Sequence, residues 1–282
     1  MVVTVEAEAE EPGPLAHYAL LAAALTDVGT ERPHNEDACG LELEQAERAV
    51  VVVCDGVSSY EAGETASAKA VDVMLRAFRE SGPTLATPKR LVRAVQQANI
   101  EVYDLALVVP ELRGMATTLT AAAVDRGELS AAHIGDSRLY LARGATITQL
   151  TKDHTVAAER SRMGLLSEKK ARVHPDRSTL TRSLGRELIV AVDRITTRVV
   201  QGDALIVCSD GLYNVLEDHE MREIAQGSDP AAACRALIEA ANVRGTIDNL
   251  TAAVVRVVGA TPDLPRPAGL RARLRRLVGR GP

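Results

Sequence analysis

Two apolar runs that each end in an aspartate and a glycine constrain the fold of this chain most. Residues 50–60 read VVVVCDGVSSY, and residues 204–212 read ALIVCSDGL. A short continuous apolar run bounded by a turn signal is consistent with a strand in the hydrophobic core. Because such a strand is a rigid support, the carboxylates of Asp55 and Asp210 are expected at fixed positions at the edge of the core.

The composition is that of an ordinary globular protein and argues against nucleic acid as a partner. The 282 residues are 46 % hydrophobic, which is enough for one large domain with a sizeable core. The net charge is −5, and the chain has no Trp and one Phe. A surface that neutralises phosphates and a platform that stacks on bases are therefore not expected.

The sequence also indicates a cytoplasmic protein. The apolar run at 15–25 is shorter than the ~20 residues of a membrane span, and the acidic residues before it differ from the basic start of a signal peptide. The cysteines lack the spacing of a metal site and the density of a disulfide scaffold, so they are interpreted as reduced core residues. They are Cys39, Cys54, Cys208 and Cys234.

The order of strand and helix patterns predicts an α+β domain with mainly antiparallel sheets. Helical periodicity covers 64–80, 88–109, 218–225 and 230–242, and strand-like runs are grouped before, between and after these segments. Strict strand–helix alternation, the signature of a parallel doubly wound sheet, is absent from this order. The strand-like runs are 18–25, 49–54, 118–124, 129–134, 139–142, 195–200, 204–208 and 250–258.

Three segments are expected to lie outside the layered core. Residues 1–14 are acidic and form a flexible leader, and residues 259–282 form a tail rich in Pro and Arg. The apolar positions of the tail have helical spacing, so weak contact with an anionic membrane surface is an alternative to disorder. The charged segment 151–186 is expected to cross the surface of a domain that spans 15–258.

Two further aspartates follow or precede strand-like runs, namely Asp136 in GDSR at 135–138 and Asp248 in DNLT at 248–251. An Asp-Gly pair taken alone is more often a turn than a metal site. Four such aspartates without a basic partner nearby in sequence would repel one another if the fold brought them together. Their convergence would therefore require cations, and a glycine carbonyl beside a carboxylate is a suitable ligand for a hard one.

Six short motifs resemble, in order and spacing, those of the PP2C-type (PPM) metal-dependent serine/threonine phosphatases, and of their bacterial members most. The resemblance covers about residues 18–257. Each motif is weak alone, but their order makes accidental agreement improbable. They are RPHNED at 32–37, CDG at 54–56, GMATT at 114–118, HIGDSR at 133–138, CSDGL at 208–212 and DNLT at 248–251.

The resemblance implies a four-layer αββα sandwich, in which two β-sheets flanked by helix pairs hold two Mn²⁺ or Mg²⁺ ions in a cleft. Asp55 would bridge the ions, and the carbonyl of Gly56 would bind one of them. Asp210 and Asp248 would bind the other ion, and Glu36 and Asp37 would contact the ions mostly through water. Asp136 would help to hold a third, looser ion, and Arg32 would bind the substrate phosphate.

The chemistry of these residues agrees with that interpretation. Oxygen ligands suit Mg²⁺ or Mn²⁺ rather than Zn²⁺, and two such ions lower the pKa of a water that they share, so that it can attack phosphorus without a phosphoenzyme. The guanidinium of Arg32 matches two phosphate oxygens. His133 lies in a strand-like run and is expected to be a packing residue, whereas His34 is expected either in the cleft or in a solvated loop.

The chain departs from the family pattern at three places. Val57 occupies a position where some members carry a histidine proposed as proton donor. A water on the metal would then protonate the leaving group, or an activated leaving group would need no donor. Ser58 and Ser59 replace two glycines. Three interpretations of this replacement are open: tolerated loop variation, altered contacts with the substrate, and reduced activity. Ala116 replaces a glycine of the family motif, which is a milder change.

The leading hypothesis is a phosphatase of phosphoserine and phosphothreonine in proteins, acting as a monomer that opposes a serine/threonine kinase. The alternative is a pseudophosphatase that binds phosphoproteins as a regulatory scaffold, which Ser58 and Ser59 motivate. A phosphatase of small metabolites is a third hypothesis. Segment 151–186 would correspond to the flap beside the active site in the family and would influence substrate choice.

Overall fold

The computed structural model describes residues 18–44, 47–57, 60–227 and 229–260. Within these residues ten strands form two five-stranded antiparallel sheets, in the orders β1-β10-β9-β6-β7 and β2-β3-β4-β5-β8. The strands are β1 (Tyr18–Asp27), β2 (Asp37–Glu44), β3 (Arg48–Asp55), β4 (Leu119–Asp125), β5 (Glu128–Ile134), β6 (Arg138–Arg143), β7 (Thr146–Gln149), β8 (Asp193–Arg198), β9 (Ala204–Cys208) and β10 (Leu250–Ala260).

Helices cover the outer face of each sheet. The long helices α1 (Tyr60–Glu80) and α2 (Thr87–Val108) pack on the sheet that contains β3, through a core that includes Met74, Leu91 and Val95. The helices α6 (Asp218–Gly227) and α7 (Pro230–Val243) pack on the sheet that contains β9, through a second core. Between them in sequence lie the short helices α3 (Val156–Arg162), α4 (Glu168–Arg172) and α5 (Asp210–Tyr213).

The continuous apolar runs exist because β3 and β9 are buried on both faces. In β3, Val50, Val52 and Cys54 face the helices, whereas Val51 and Val53 face the opposite sheet. In β9 the same alternation assigns 204, 206 and 208 to the helix side and 205 and 207 to the space between the sheets. Successive side chains of a strand point to opposite faces, so a central strand of a four-layer structure needs apolar residues at every position.

This architecture confirms the predicted αββα sandwich of two antiparallel sheets. His133 is buried, as expected of a packing residue, and all four cysteines are free thiols, of which Cys39 alone is partly exposed. The predicted leader at 1–14 and nearly all of the predicted tail lie outside the described residues. No helix in the described part of the chain is long and apolar enough to cross a membrane.

Strand β2 and the short elements were not predicted. Residues 37–44 read DACGLELE, in which the alternation typical of a strand is confined to the last four residues, yet β2 pairs along its whole length with β3. Segment 151–186 contains α3, α4 and a 3₁₀ turn at Pro175–Ser178. Each has seven residues or fewer, and such elements carry too few turns for a detectable period.

Candidate active site

Two threonines that directly precede β4, Thr117 and Thr118, hold Asp55 at the end of β3. The hydroxyl of Thr118 accepts a hydrogen bond from the backbone N–H of Asp55 at 2.9 Å, and the backbone N–H of Thr118 donates to the Asp55 carbonyl at 2.8 Å. The Thr117 hydroxyl donates to the same carbonyl at 2.9 Å. Asp55 shares the strand face of Val51 and Val53, so its carboxylate is directed toward the space between the sheets.

Gly56 is required by a close approach of two backbones. Its N–H donates to the carbonyl of Glu36 at 3.0 Å, and a Cβ at Gly56 would lie 2.3 Å from the carbonyl oxygen of Gly63 in α1. The φ angle of Gly56 is not in the left-handed region. No positive φ requires this glycine; the residue is small because the backbone of α1 approaches it closely.

Asp37 lies directly opposite Asp55, since the two residues are partners in the β2–β3 register. Its carboxylate accepts a 2.6 Å hydrogen bond from the hydroxyl of Ser209, which follows β9 in the other sheet. Ser209 also accepts a hydrogen bond from the backbone N–H of Thr251 at 3.1 Å. Asp37 and Ser209 therefore join the ends of the two sheets.

Asp210 begins helix α5 immediately after β9, and its carboxylate accepts a hydrogen bond from the Asn214 side chain at 3.1 Å. The next residue, Gly211, packs so tightly that a Cβ there would lie 2.1 Å from the carbonyl oxygen of Asn249. This approach brings Asp210 beside the segment that carries Asp248.

Asp248 pairs with Arg32, at 3.0 and 3.1 Å between the Nη2 atom of Arg32 and the two carboxylate oxygens. The Nε atom of Arg32 donates to the carbonyl of Ile247 at 3.1 Å, and its side chain remains 40 % exposed, so the guanidinium lies at the mouth of the site. Asp248 has no basic partner nearby in sequence, but the fold brings it Arg32, which is more than 200 residues away.

Asp136 is almost completely buried, at 6 % exposure, in the loop between β5 and β6. Gly135 precedes it with a φ of +103°, a conformation that favours glycine. The Tyr213 hydroxyl in α5 donates to the Asp136 carbonyl at 3.1 Å, and the guanidinium of Arg138 stacks 3.6 Å from the centre of the Tyr213 ring. These contacts direct the loop toward Asp210.

The acidic groups are close enough to raise one another's pKa. Burial, with smaller contributions from Asp210 and Asp248, raises the pKa of Asp37 to about 7. Burial and the charge of Asp37 raise the pKa of Asp55 well above its usual range. Burial and the charge of Asp248 raise the pKa of Asp210 to about 6. Burial and the charge of Asp210 raise the pKa of Asp136. Burial raises the pKa of Glu36 and outweighs the opposing charge of Arg32.

This set of side chains suits hard divalent cations in its donor chemistry. Every donor is a carboxylate or carbonyl oxygen, and cations would remove the repulsion among the carboxylates. Within the described ranges, no group of three or more His, Cys, Asp or Glu side chains already stands in a coordinating arrangement. The fold thus gathers the predicted residues at one edge, while the final positions of their oxygens would be set by the cations.

Residues without a predicted role hold the site together. Asn249 donates from its side chain to the carbonyls of Val28 and His34, both at 2.9 Å, and accepts from the N–H of Glu36 at 2.9 Å. Its position next to Asp248 was the one available signal. Ser58 and Ser59 lie outside the described residues, and Ala116 is buried with ordinary backbone angles and accepts a hydrogen bond from Val57.

Comparison with known proteins is consistent with this geometry. The family model of Protein phosphatase 2C matches residues 30–247. The serine/threonine phosphatase stp of Listeria innocua is 35 % identical over 234 residues, which are 82 % of this chain and 93 % of that protein.

Two solved structures have a similar fold. The Mycobacterium tuberculosis serine/threonine phosphatase PstP/Ppp superposes with a TM-score of 0.77 at 32 % identity, covering 85 % of this chain and 99 % of that one. The catalytic domain of PstP in complex with two manganese ions gives a TM-score of 0.75 at 31 % identity, covering 85 % and 98 %.

Proposed function

The chain belongs to the protein phosphatase 2C family, and from that premise we propose that it hydrolyses phosphoserine and phosphothreonine in proteins with two divalent cations. The observation that carries the proposal is the gathering of carboxylates from both sheets at one edge, with the exposed guanidinium of Arg32 at the mouth. An opposing serine/threonine kinase would supply the substrates.

The ligand roles are part of this proposal. Asp55 and the carbonyl of Gly56 would hold one cation, with Asp55 shared between the two, and Asp210 and Asp248 would hold the other. Glu36 and Asp37 would contact the cations through water, and Asp136 would serve a third. When bound, the cations supply a water of lowered pKa and neutralise charge on the phosphate. Mn²⁺ and Mg²⁺ both fit the oxygen donors.

The protein contributes position and charge. Arg32 would bind two phosphate oxygens through its forked donors, and to do so it must loosen its pair with Asp248. Cation binding at Asp248 would favour that exchange, because it removes the negative charge that holds Arg32. The threonine bonds to the Asp55 backbone keep its carboxylate in place during turnover.

The proposal is tested by hydrolysis of an aryl phosphate and of a phosphothreonine peptide with Mn²⁺. EDTA should abolish turnover, and Asp55→Asn or Asp210→Asn should lower kcat by at least ~10³-fold without loss of folding, as expected when charge stabilisation in the transition state is removed. Undiminished turnover in both variants would disprove the ligand assignment.

The pseudophosphatase alternative is less favoured, because all four strand-end aspartates and Arg32 are present. Calorimetry with Mn²⁺ and a phosphopeptide distinguishes the two, since a scaffold would bind both without releasing phosphate. Replacing Ser58 and Ser59 by glycines tests whether this pair limits turnover. A large gain in kcat would show that the wild-type chain is a weakened enzyme.

A further inference from the structure

Two adjoining cavities lie at the end of the β3 sheet opposite to the aspartates. Their volumes are about 200 and 420 Å³, and Arg48 and Arg90 line both. Arg48 begins the eight-residue strand β3 and Asp55 ends it, so the cavities are about 23 Å from the candidate active site at ~3.3 Å for each of the seven steps between them. They belong to a different part of the molecule.

Arg90 is a buried cation without an acidic partner among the described residues. It is 4 % exposed, and its Nε and Nη2 atoms donate to a single carbonyl, that of Phe78, at 3.3 and 2.9 Å. Its guanidinium carbon lies 3.9 Å from the centre of the Phe78 ring. A buried guanidinium is costly unless an anion accompanies it.

The carboxylates around the cavities are already bonded to other groups. Asp125 accepts from Arg48 and from the Thr87 hydroxyl, at 3.1 and 2.9 Å. Glu44 pairs with Arg48 at 2.6 Å, Glu42 pairs with Arg79, and Glu128 accepts from Ser130 at 3.4 Å. The Nε atom of Arg48 is buried without a hydrogen-bond partner. At the shared wall, one donor of Arg48 is therefore unused, and Arg90 has no carboxylate partner.

A third arginine on the smaller cavity occupies a strained position. Arg126 has a φ of +52° and is followed by Gly127 at +73°, so the β4–β5 hairpin turns with two positive φ angles. Such turns favour Asn-Gly. Among the described residues, Arg126 is the only one other than glycine with a positive φ. A strained residue at a cavity points to a functional reason for its retention.

Helix α2 adds positive potential to the same cavity. Ala86, Thr87 and Pro88 line it, and the helix has neither a side-chain cap nor an acidic residue in its first turn. The partial positive charge at a helix N-terminus favours anions. The helix end thus faces the same space as three arginines.

We propose that this region, the α2 cavity, binds a phosphate group through Arg90 and Arg126 at the N-terminus of α2. The site is separate from the candidate active site and binds without turnover. The ligand is a phosphate dianion, either free in solution or carried by a phosphorylated protein side chain.

The test is a titration of the ¹⁵N-labelled full chain with inorganic phosphate, followed by NMR in Mg²⁺ at constant ionic strength set with NaCl. Backbone amides of Thr87, Lys89 and Gly127 should shift and saturate separately from those of the aspartate edge. Arg90→Met should weaken this saturation at least ~10-fold, as expected for a lost charged hydrogen bond. Arg76→Met, which removes an arginine of α1 outside both cavities, should leave it unchanged.

Arg126→Asn provides an independent test of the phosphate site if Arg90→Met does not fold. It should weaken phosphate binding at the α2 cavity while raising stability, a combination that a purely structural arginine would not give. Phosphate and a phosphoserine peptide are then compared in EDTA, in which the peptide is not hydrolysed. Saturation of the same amides by the peptide at lower concentration than phosphate identifies a phosphoprotein source; a weaker response identifies free phosphate. Shifts confined to the aspartate edge, or equal saturation in wild type and both cavity variants, would overturn the proposal.

Discussion

At the scale of single residues, small side chains determine how closely the segments around the aspartates can approach. A Cβ added at Gly56 or at Gly211 would lie too close to a backbone carbonyl oxygen to be tolerated. Asp55 and Asp210 precede these glycines, so each carboxylate is placed by a backbone contact as much as by its strand. A change at either glycine therefore acts on the site and on stability together.

Gly56→Ala should destabilise the protein by about 3 kcal/mol or more, because the added methyl group meets the carbonyl of Gly63 in α1 and neither backbone can move freely. Gly227→Ala is a matched control, since that glycine ends α6 with no atom within 4 Å of the added Cβ. Urea unfolding measures both. Equal stability of the two variants would contradict the steric argument.

Arg126→Asn should stabilise the protein by about 0.5–1 kcal/mol, because asparagine tolerates a positive φ better than arginine does. The exposed Arg113 has a φ of −59°, so Arg113→Asn should bring no such gain. Thermal unfolding of the two variants beside wild type is the measurement. A loss of stability in Arg126→Asn would mean that the arginine is required by the fold.

At the scale of elements, strand ends supply carboxylates and one side chain fixes the connecting loop. The loop between β1 and β2 carries Arg32 and Glu36, and Asn249 at the start of β10 binds it through three hydrogen bonds. The two sheets are therefore joined by polar contacts at the site, in addition to the apolar layer between them.

Asn249→Ala should cost about 2–3 kcal/mol, since it leaves two carbonyls and one N–H of the loop without their partner. The KM for a phosphopeptide should rise, because Arg32 lies on the loosened loop. Asn242→Ala is the control: the carbonyl oxygen of that side chain is buried without a partner in α7, so its removal should be neutral or stabilising. Unfolding curves and KM values of both variants are the measurements. An unchanged KM in Asn249→Ala would contradict the link between this side chain and the position of Arg32.

At the scale of the whole molecule, the sandwich collects negative charge from both sheets at one edge, and this charge makes stability depend on pH. Without divalent cations, burial raises the pKa of Asp37 to about 7 and that of Asp210 to about 6, both above the ordinary value of 3.8. The folded state then holds protons that the unfolded state releases between pH 4 and 7. The contribution of these groups to stability therefore falls as the pH rises through that window.

The unfolding free energy should change by at most about 1.4 kcal/mol per pH unit for each proton by which the folded and unfolded states differ. Asp37→Asn removes one titrating group and should flatten the fall of unfolding free energy between pH 4 and 7 in EDTA. Mn²⁺ should restore stability at pH 7.5 in the wild type, because it neutralises the same edge. Identical slopes for wild type and Asp37→Asn in EDTA would contradict this origin of the pH dependence.

The sequence by itself determined the type of fold and the residues of the candidate site. Apolar runs ending in Asp55 and Asp210 identify central strands, because only a strand covered on both faces is apolar at every position. Six motifs in order identified the family, and their acidic residues predicted the edge at which the structure gathers them.

Only the tertiary structure decided how those residues are held and which others matter. The pairing of Arg32 with Asp248, the bonds of Asn249 and the contact of Asp37 with Ser209 each join residues more than 150 positions apart. The isolated charge of Arg90 also emerged only there, because burial and the partners of nearby carboxylates depend on packing. Local sequence specifies strands and turns through short-range sterics, whereas these contacts arise when the layers close on one another.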